Sequence, residues 1–380
     1  MHICMIVSSP FPPREGIGFY VWNLSRYLTG LGHQVDILTR GGRSPATHTV
    51  VEGVTIWEGR FFPVFPFHVH LHGWLTRKLV RKLASRVEVF HYHTPLVPWY
   101  ETGRPALVTV HTPMKSDTAS IPARSVLGWL IKLQAPISYR LEQMLFERAG
   151  MLTAVASSVA EEMAAYGIMP GRVSVLGNGV DTDVFFPAMI EPDRNQPYFF
   201  SAGRLAPRKG LEDLVECARL VLQKYPDHRF LIAGTGPLER MLRGQIERRN
   251  LGDRVILLGH VSGRASLADL YRGATAFVHA AHYEGLPTVL LEAMACGRPV
   301  VSTAVSGALD VIEHEHNGLL VPPREPVQLS AAITRLIQDP SLAENLGTAA
   351  CRTIEERYSW HVVARRYLAE YEALLHGAAQ

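Results

Sequence analysis

Strand-length apolar runs alternate with helix-length segments along almost the whole chain, and that alternation restricts the fold more than any single motif does. It is most regular in the second half. There, runs near 198–203, 229–234, 254–259, 275–280, 299–303 and 318–321 read as buried strands, and segments at about 211–224, 237–249, 265–272, 287–296 and 326–337 read as helices. In the first half, strands are expected at 2–7, 34–39, 106–111 and 151–156, with helices such as 19–31 and 136–149 between them. This order feeds parallel sheets covered on both faces, because each crossover helix returns the chain to the sheet and packs on it. The expected class is α/β, with doubly wound sheets.

At 380 residues the chain is long for one core, so two domains follow, and an apolar content of 47% can fill both. The turn Asn178-Gly179-Val180-Asp181 and the polar stretch 187–197 carry the residues expected at a boundary, dividing the chain into 1–187 and 188–359. Two further helices, about 341–356 and 360–376, follow without new strands, and the segment 360–380 is expected to cross back onto the first domain.

Charge narrows the function. Lys and Arg number 38 against 35 Asp and Glu, too even a balance for a nucleic-acid protein driven by bulk charge. Cys4, Cys217, Cys296 and Cys351 lie far apart with no Cys-x-x-Cys spacing, which suggests neither a zinc site nor a disulfide scaffold and fits a reducing cytoplasm. The start, Met1-His2-Ile3-Cys4-Met5-Ile6-Val7, has no basic region before its apolar run and reads as a strand, not as a signal peptide. No apolar run is long enough to span a bilayer.

Two strand ends carry the most pointed chemistry. After the run Ala276-Phe277-Val278-His279-Ala280 comes Glu284-Gly285-Leu286-Pro287-Thr288, and then a helix-forming stretch that contains Glu292 and closes at Gly297. A helix start presents unpaired N–H groups and partial positive charge, which suits an anion. Two carboxylates beside it make sense if they hold hydroxyls of a sugar or ribose while the amides hold phosphate; the plain alternative is a solvated helix cap and a surface Glu. The second strand end, Gly203-Arg204-Leu205-Ala206-Pro207-Arg208-Lys209-Gly210, offers Arg204 and Lys209 to a diphosphate, without a metal, or is simply a solvated basic turn.

Other motifs are open in the same way. Gly16-Ile17-Gly18 with Asp36 imitates part of a dinucleotide fingerprint, but the third glycine is missing and 8–15 is a long proline-rich loop where that fingerprint needs a tight turn. The glycines read instead as letting a loop approach a ligand before a helix starting near Phe19, or as an ordinary loop-to-helix cap. Asp181-Thr182-Asp183 matches an Asp-x-Asp metal pattern, although its place beside Asn-Gly also fits turn chemistry. His68, His70 and His72, like His91 and His93, have the alternate spacing that sets side chains on one face of a strand. His111, ending the Val108-Thr109-Val110 run, can donate to a sugar hydroxyl or a developing charge, or can cap its strand. The segment 74–87 places Leu75, Leu79, Leu83 and Val87 at helical spacing among Arg77, Lys78, Arg81, Lys82 and Arg86. Such a basic amphipathic helix lies either on an anionic membrane surface or against its own core.

Taken together, these residues resemble glycosyltransferase family 4. The resemblance rests on Glu284 through Glu292-Ala-Met-Ala-Cys-Gly, similar to the family's Glu-x7-Glu motif, and on Gly203-Arg204 with Lys209. Asn178-Gly-Val-Asp181 with Phe186-Pro187, Gly234-Thr-Gly-Pro237, Asn317-Gly-Leu-Leu-Val-Pro322 and Tyr358-Ser-Trp360 support it. It implies a GT-B fold, two Rossmann-like domains facing each other across a cleft, with the C-terminal helix crossing back. It also implies a retaining, metal-independent transferase that uses a nucleoside diphosphate sugar and no other cofactor. By the resemblance Arg204 and Lys209 hold the donor diphosphate, Glu292 the ribose and Glu284 the transferred sugar. Gly285, Leu286, Pro287 and Thr288 line the donor, Gly16 lets the first domain's loop close over the diphosphate, and His111 sits beside the sugar. The acceptor would be a hydroxyl of a glycan, a lipid-linked compound or a small molecule, at a cytoplasmic site or peripherally on the inner face of the membrane.

Two departures are visible. Relatives with a Gly-Gly pair have it where Glu15-Gly16-Ile17-Gly18 stands, and Ser306-Gly307-Ala308 replaces another, which leaves that second loop outside the expected site. The rival readings are a glycoside hydrolase or phosphorylase using Glu284 and Glu292, an oxidoreductase, and a non-catalytic sugar-nucleotide-binding protein. On one helix, eight residues would separate the two Cα atoms by roughly 12 Å. Hydrolase carboxylates lie about 5 to 9.5 Å apart, and Gly285 with Pro287 makes a single helix from Glu284 unexpected.

Overall fold

The computed structural model describes residues 1–13, 16–44, 46–64, 66–120, 126–187 and 196–377. The stretch 188–195, within the expected linker, and Glu15 lie outside the described residues. The chain forms two compact units, one of Met1–Asn178 with Val363–Gln380 and one of Gly179–Val362.

The first unit runs β1 (His2–Val7), α1 (Gly16–Gly30), β2 (Gln34–Arg40), β3 (Thr47–Val51), β4 (Val54–Gly59), α2 (His68–Ala84), β5 (Val89–Thr94) and β6 (Ala106–Val110). It continues through α3 (Met114–Ser120), α4 (Val126–Arg148), β7 (Met151–Ala154), α5 (Ser157–Glu162) and β8 (Val173–Val175). Among the described residues these strands form one sheet in the order β3-β4-β2-β1-β5-β6-β7-β8. All neighbours are parallel except the β3–β4 hairpin, whose turn uses Glu52 and Gly53 at φ 48° and 80°. β1, β5 and β6 are buried almost throughout, as central strands covered on both faces must be.

The second unit holds β9 (Tyr198–Ala202), α6 (Leu211–Lys224), β10 (Arg229–Ala233), α7 (Glu239–Arg248), β11 (Val255–Gly259), α8 (Arg264–Arg272), β12 (Ala276–His279) and α9 (Thr288–Ala295). Then come β13 (Val300–Thr303), α10 (Ser306–Leu309), β14 (Leu319–Val321), α11 (Pro326–Gln338) and α12 (Pro340–Thr353). Its sheet, in the order β11-β10-β9-β12-β13-β14, is parallel throughout and doubly wound, with the direction of winding changing between β9 and β12. Leu214, Val215, Ala218 and Val221 of α6 pack with Phe199, Phe230 and Val278 of the sheet in its core.

Residues 179–187 go with the second unit. Val180 N–H donates to Tyr358 O at 2.8 Å, Phe185 packs edge-on to Tyr271 at 5.9 Å, and Arg272 donates to the Val184 and Phe186 carbonyls. The division therefore falls at 178/179, where the sequence suggests 187/188. α13 (Trp360–Gly377) passes from the second unit into the first, where Tyr367 and Tyr371 are fully buried.

Candidate active site

In open α/β sheets, ligands bind at the carboxyl ends of strands where the winding reverses. In the second unit that point lies between β9 and β12, and the two segments singled out by the sequence leave the sheet there. After β9 the chain forms a 3-10 turn, Pro207–Lys209, and enters α6 through Gly210 at φ 60°. A Cβ on Gly210 would stand 1.9 Å from Ala280 O, so only glycine lets this loop lie against the end of β12.

The close approach brings Lys209 to Glu284. Lys209 Nζ donates to Glu284 Oε2, and both side chains are largely buried, at 14% and 12% exposure. Arg204 is exposed, and among the described residues no hydrogen bond or ion pair engages its side chain, while its carbonyl accepts from Ala206 N–H at 2.8 Å. Pro287 is the N-cap of α9, so its missing N–H costs nothing, and Thr288 and Val289 begin the helix with no backbone acceptor for their amides among the described residues. Chemically, a guanidinium and open helix amides suit a phosphate, and a carboxylate suits hydroxyls.

Glu292 lies one turn further into α9, half-buried, and accepts a hydrogen bond of 2.8 Å from Tyr271 OH on α8. Burial raises its carboxyl to about 7, partly countered by the Tyr271 bond and by Arg264. Tyr271 itself is fully buried and reads in the sequence as an ordinary core aromatic. A second omission is the 306–308 loop. Ser306 Oγ donates to Glu284 O at 3.3 Å and Gly307 N–H to the same oxygen at 3.4 Å, while a Cβ on Gly307 would fall 1.2 Å from Gly285 O. This segment, the start of α10, presses directly on the backbone of Glu284 and Gly285.

In the first unit the winding reverses between β1 and β5. α1 begins at Gly16, three residues before the expected start near Phe19, and contains both glycines. The space that a Cβ would fill at Gly16 is open, whereas at Gly18 it would meet Ser9 Oγ at 2.9 Å. Gly18 is thus held tightly by packing, whereas nothing among the described residues lies within 4 Å of a Cβ at Gly16. His111 stands just past β6, half-buried, with its Nε2 3.2 Å from His93 Nδ1. Burial lowers its pKa to about 3, so it is neutral at physiological pH.

Several other motifs are absorbed by structure. Asp36 is buried under His2 at 2.7 Å, Trp57 at 2.9 Å and Arg86 at 3.0 Å, at the opposite end of its strand from a ribose site. Asp181 pairs with Arg264 at 2.8 Å and accepts from the Asp183 N–H, as in an Asx turn. His68, His70 and His72 lie on α2, not on a strand, whereas His91 and His93 do share one face of β5. Among the described residues, no group of three or more His, Cys, Asp or Glu side chains could hold a metal ion.

Residues 186–353 match the family model "Glycosyl transferases group 1", and residues 14–184 match "Glycosyltransferase Family 4". The chain is 27% identical over 402 aligned residues to a glycogen synthase of Mycobacterium tuberculosis, covering 99% of this chain and 96% of the relative. It is 29% identical to a D-inositol 3-phosphate glycosyltransferase of Kribbella flavida, covering 94% and 90%. Among solved structures it resembles sucrose-phosphate synthase from Thermosynechococcus elongatus, with TM-score 0.78, 22% identity and 99% of each chain covered. It also resembles HepE from Anabaena, solved with UDP and glucose, with TM-score 0.71 and 17% identity, covering 98% of this chain and 100% of that one.

Proposed function

The chain belongs to the family-4 glycosyltransferases of GT-B fold, and from that premise we propose that it moves a hexosyl group from a nucleoside diphosphate sugar to a hydroxyl acceptor with retention and without a metal. The observation that carries the reading is the meeting of Lys209, Glu284 and the open amides of α9 at the point where the second unit's winding reverses. Arg204, Lys209 and the amides stabilise the charge that develops on the departing diphosphate, preorganised electrostatics of the kind that often dominates catalysis. Glu284 holds hydroxyls of the sugar and Glu292 those of the ribose. The acceptor oxygen bonds to the anomeric carbon on the face that the phosphate oxygen leaves, and the departing phosphate takes the acceptor's proton. Gly16 and His111 belong to the first unit, and Arg204, Lys209, Glu284 and Glu292 to the second.

The test is a panel of UDP-, GDP- and ADP-sugars, measuring nucleotide release with and without candidate acceptors, in buffer and in excess EDTA. Acceptor-dependent release that survives EDTA supports the reading. Release with water alone indicates hydrolysis, and strict dependence on Mg²⁺ or Mn²⁺ restores Asp181 and Asp183 as metal ligands.

We also assign α2 a place on an anionic membrane surface. Trp74, Arg77, Lys78, Arg81 and Lys82 are all exposed on it, Trp74 at 70%. Beside it runs a groove of about 480 Å³ lined by Trp74, Arg77, Arg81, Trp99, Leu141 and Met144, a mixture of apolar and cationic groups suited to a lipid or a lipid-linked acceptor. No helix among the described residues is long and apolar enough to cross a membrane, so any such contact is peripheral.

A further inference from the structure

Three histidines gather at the carboxyl edge of the first unit's sheet: His91 and His93 on β5, and His111 just past β6. Both nitrogens of His91 are used, Nδ1 with Tyr371 OH at 2.7 Å and Nε2 with Thr109 Oγ1 at 2.6 Å. His93 and His111 share one contact, Nδ1 to Nε2 at 3.2 Å, so one hydrogen lies between them. His93 is fully buried and its Nε2 has no hydrogen-bond partner among the described residues. The Tyr20 ring seals the pair, edge-on to His111 at 4.8 Å and tilted against His93 at 5.8 Å, with its hydroxyl held 2.7 Å from that of Tyr367.

Burial lowers the pKa of all three imidazoles, so at neutral pH each ring carries a single N–H. Two arrangements follow. If His111 donates, the hydrogen of His93 must sit on its buried Nε2 and face no acceptor. If His93 donates, its Nε2 is only a bare lone pair. Orphaned buried N–H groups are rarer than under-satisfied acceptors, which favours the second arrangement. In it the hydrogen of His111 is forced onto Nδ1, an atom with no hydrogen-bond partner among the described residues.

We propose that His93 is a positioning residue which, by donating Nδ1–H to His111 Nε2, locks His111 as the Nδ1–H tautomer and so presents the transferred sugar with a fixed hydrogen-bond donor in place of a base. The proposal rests on the reading that His111 sits beside that sugar, and it extends the reading by stating which nitrogen acts, in which state and what sets it. His93 reaches the sugar through His111 alone. Its removal therefore slows the chemical step and leaves donor affinity in place, because the donor's diphosphate and ribose are held by other residues.

Two measurements test this. Selective ¹⁵N-histidine NMR of the ligand-free protein at pH 7 should show His111 as the Nδ1–H tautomer, and His93→Leu should convert it to a mixture of tautomers. His93→Asn places an amide N–H close to the position of the imidazole Nδ1–H. In kinetics, His93→Leu should lower kcat by about tenfold to a hundredfold with the donor KM unchanged, and His93→Asn should restore most of the loss. An Nε2–H tautomer of His111 in the wild type overturns the lock, as does a kcat that is alike in both variants and the wild type. His111→Ala separates the underlying reading: wild-type kcat in that variant removes His111 from the reaction, while the spectrum still decides the tautomer.

Discussion

Burial sets the Glu292 carboxyl near pH 7, where an assay can watch it titrate. If the ribose hydroxyls bind the carboxylate, donor affinity falls as the pH drops through that value, because protonation removes an acceptor. The expected loss between pH 8 and pH 6 is about tenfold in donor Kd, measured by calorimetry. The Tyr271 hydrogen bond favours the charged form, so Tyr271→Phe should move the midpoint upward; an unmoved midpoint would detach Glu292 from the ribose. His111, at about 3, does not titrate in this window. Replacing Arg204 or Lys209 with Ala should cost about 2 to 4 kcal/mol in the transition state, roughly 30- to 1,000-fold in kcat/KM. Near-normal turnover in both single variants would sink the phosphate assignment. At this scale the legible part is that Lys209 and Glu284, which lie in the segments leaving β9 and β12, meet in an ion pair, whereas Glu292 lies within α9. Tyr271 was not legible, because its hydroxyl matters only through a bond to a residue 21 positions away on another helix.

At the scale of elements, two glycines make opposite predictions. Gly307→Ala drives a methyl into Gly285 O and must shift the Glu284 loop, so it should lower both thermal stability and kcat/KM, the latter by about a hundredfold. Gly16→Ala meets nothing within 4 Å and should leave the melting temperature unchanged while raising the donor KM. Equal melting and equal kinetics for the two variants would contradict both placements. On α2, reversing Arg77, Lys78, Arg81 and Lys82 to Glu should abolish binding to anionic vesicles in a flotation assay, and unchanged binding would return the helix to its own core. That core stripe is Val69, His72, Thr76, Val80 and Leu83; of the Leu75, Leu79, Leu83 and Val87 expected from periodicity, Leu83 and Val87 are buried, while Thr76 and Val80 take the places of Leu75 and Leu79 one position on. The offset arises because Thr76 bonds His72 O and Tyr100 OH, and His72 bonds Arg60 O, which makes polar residues fit to be buried. For the same reason β5 does not stand out as an apolar run: its Val-Phe-His-Tyr-His-Thr is interrupted by histidines and only the alternate spacing of His91 and His93 marks it as a strand, although every residue is buried. β3 was missed because it is an exposed edge with no inward face to impose alternation. The second unit, whose strands are plain apolar runs, was read almost completely.

For the whole molecule, the returning helix is the feature with most at stake. Tyr367 and Tyr371 are fully buried in the first unit and hold Tyr20, His91 and Thr109 by hydrogen bonds. Deleting a large buried aromatic costs about 3 to 5 kcal/mol, and a domain has only about 5 to 15 to lose. A chain stopped after Val362 should therefore keep the second unit and lose the first, seen as loss of hydrogen-exchange protection in residues 1–178 alone. Retained protection there would show that α13 is dispensable. The same connectivity imposes an order on the making of the protein. On the ribosome the second unit can close as soon as its contiguous stretch emerges, while the first must wait for α13, which follows the whole of the second. A nascent chain halted anywhere before α13 thus holds a first unit without the two tyrosines that fill its core.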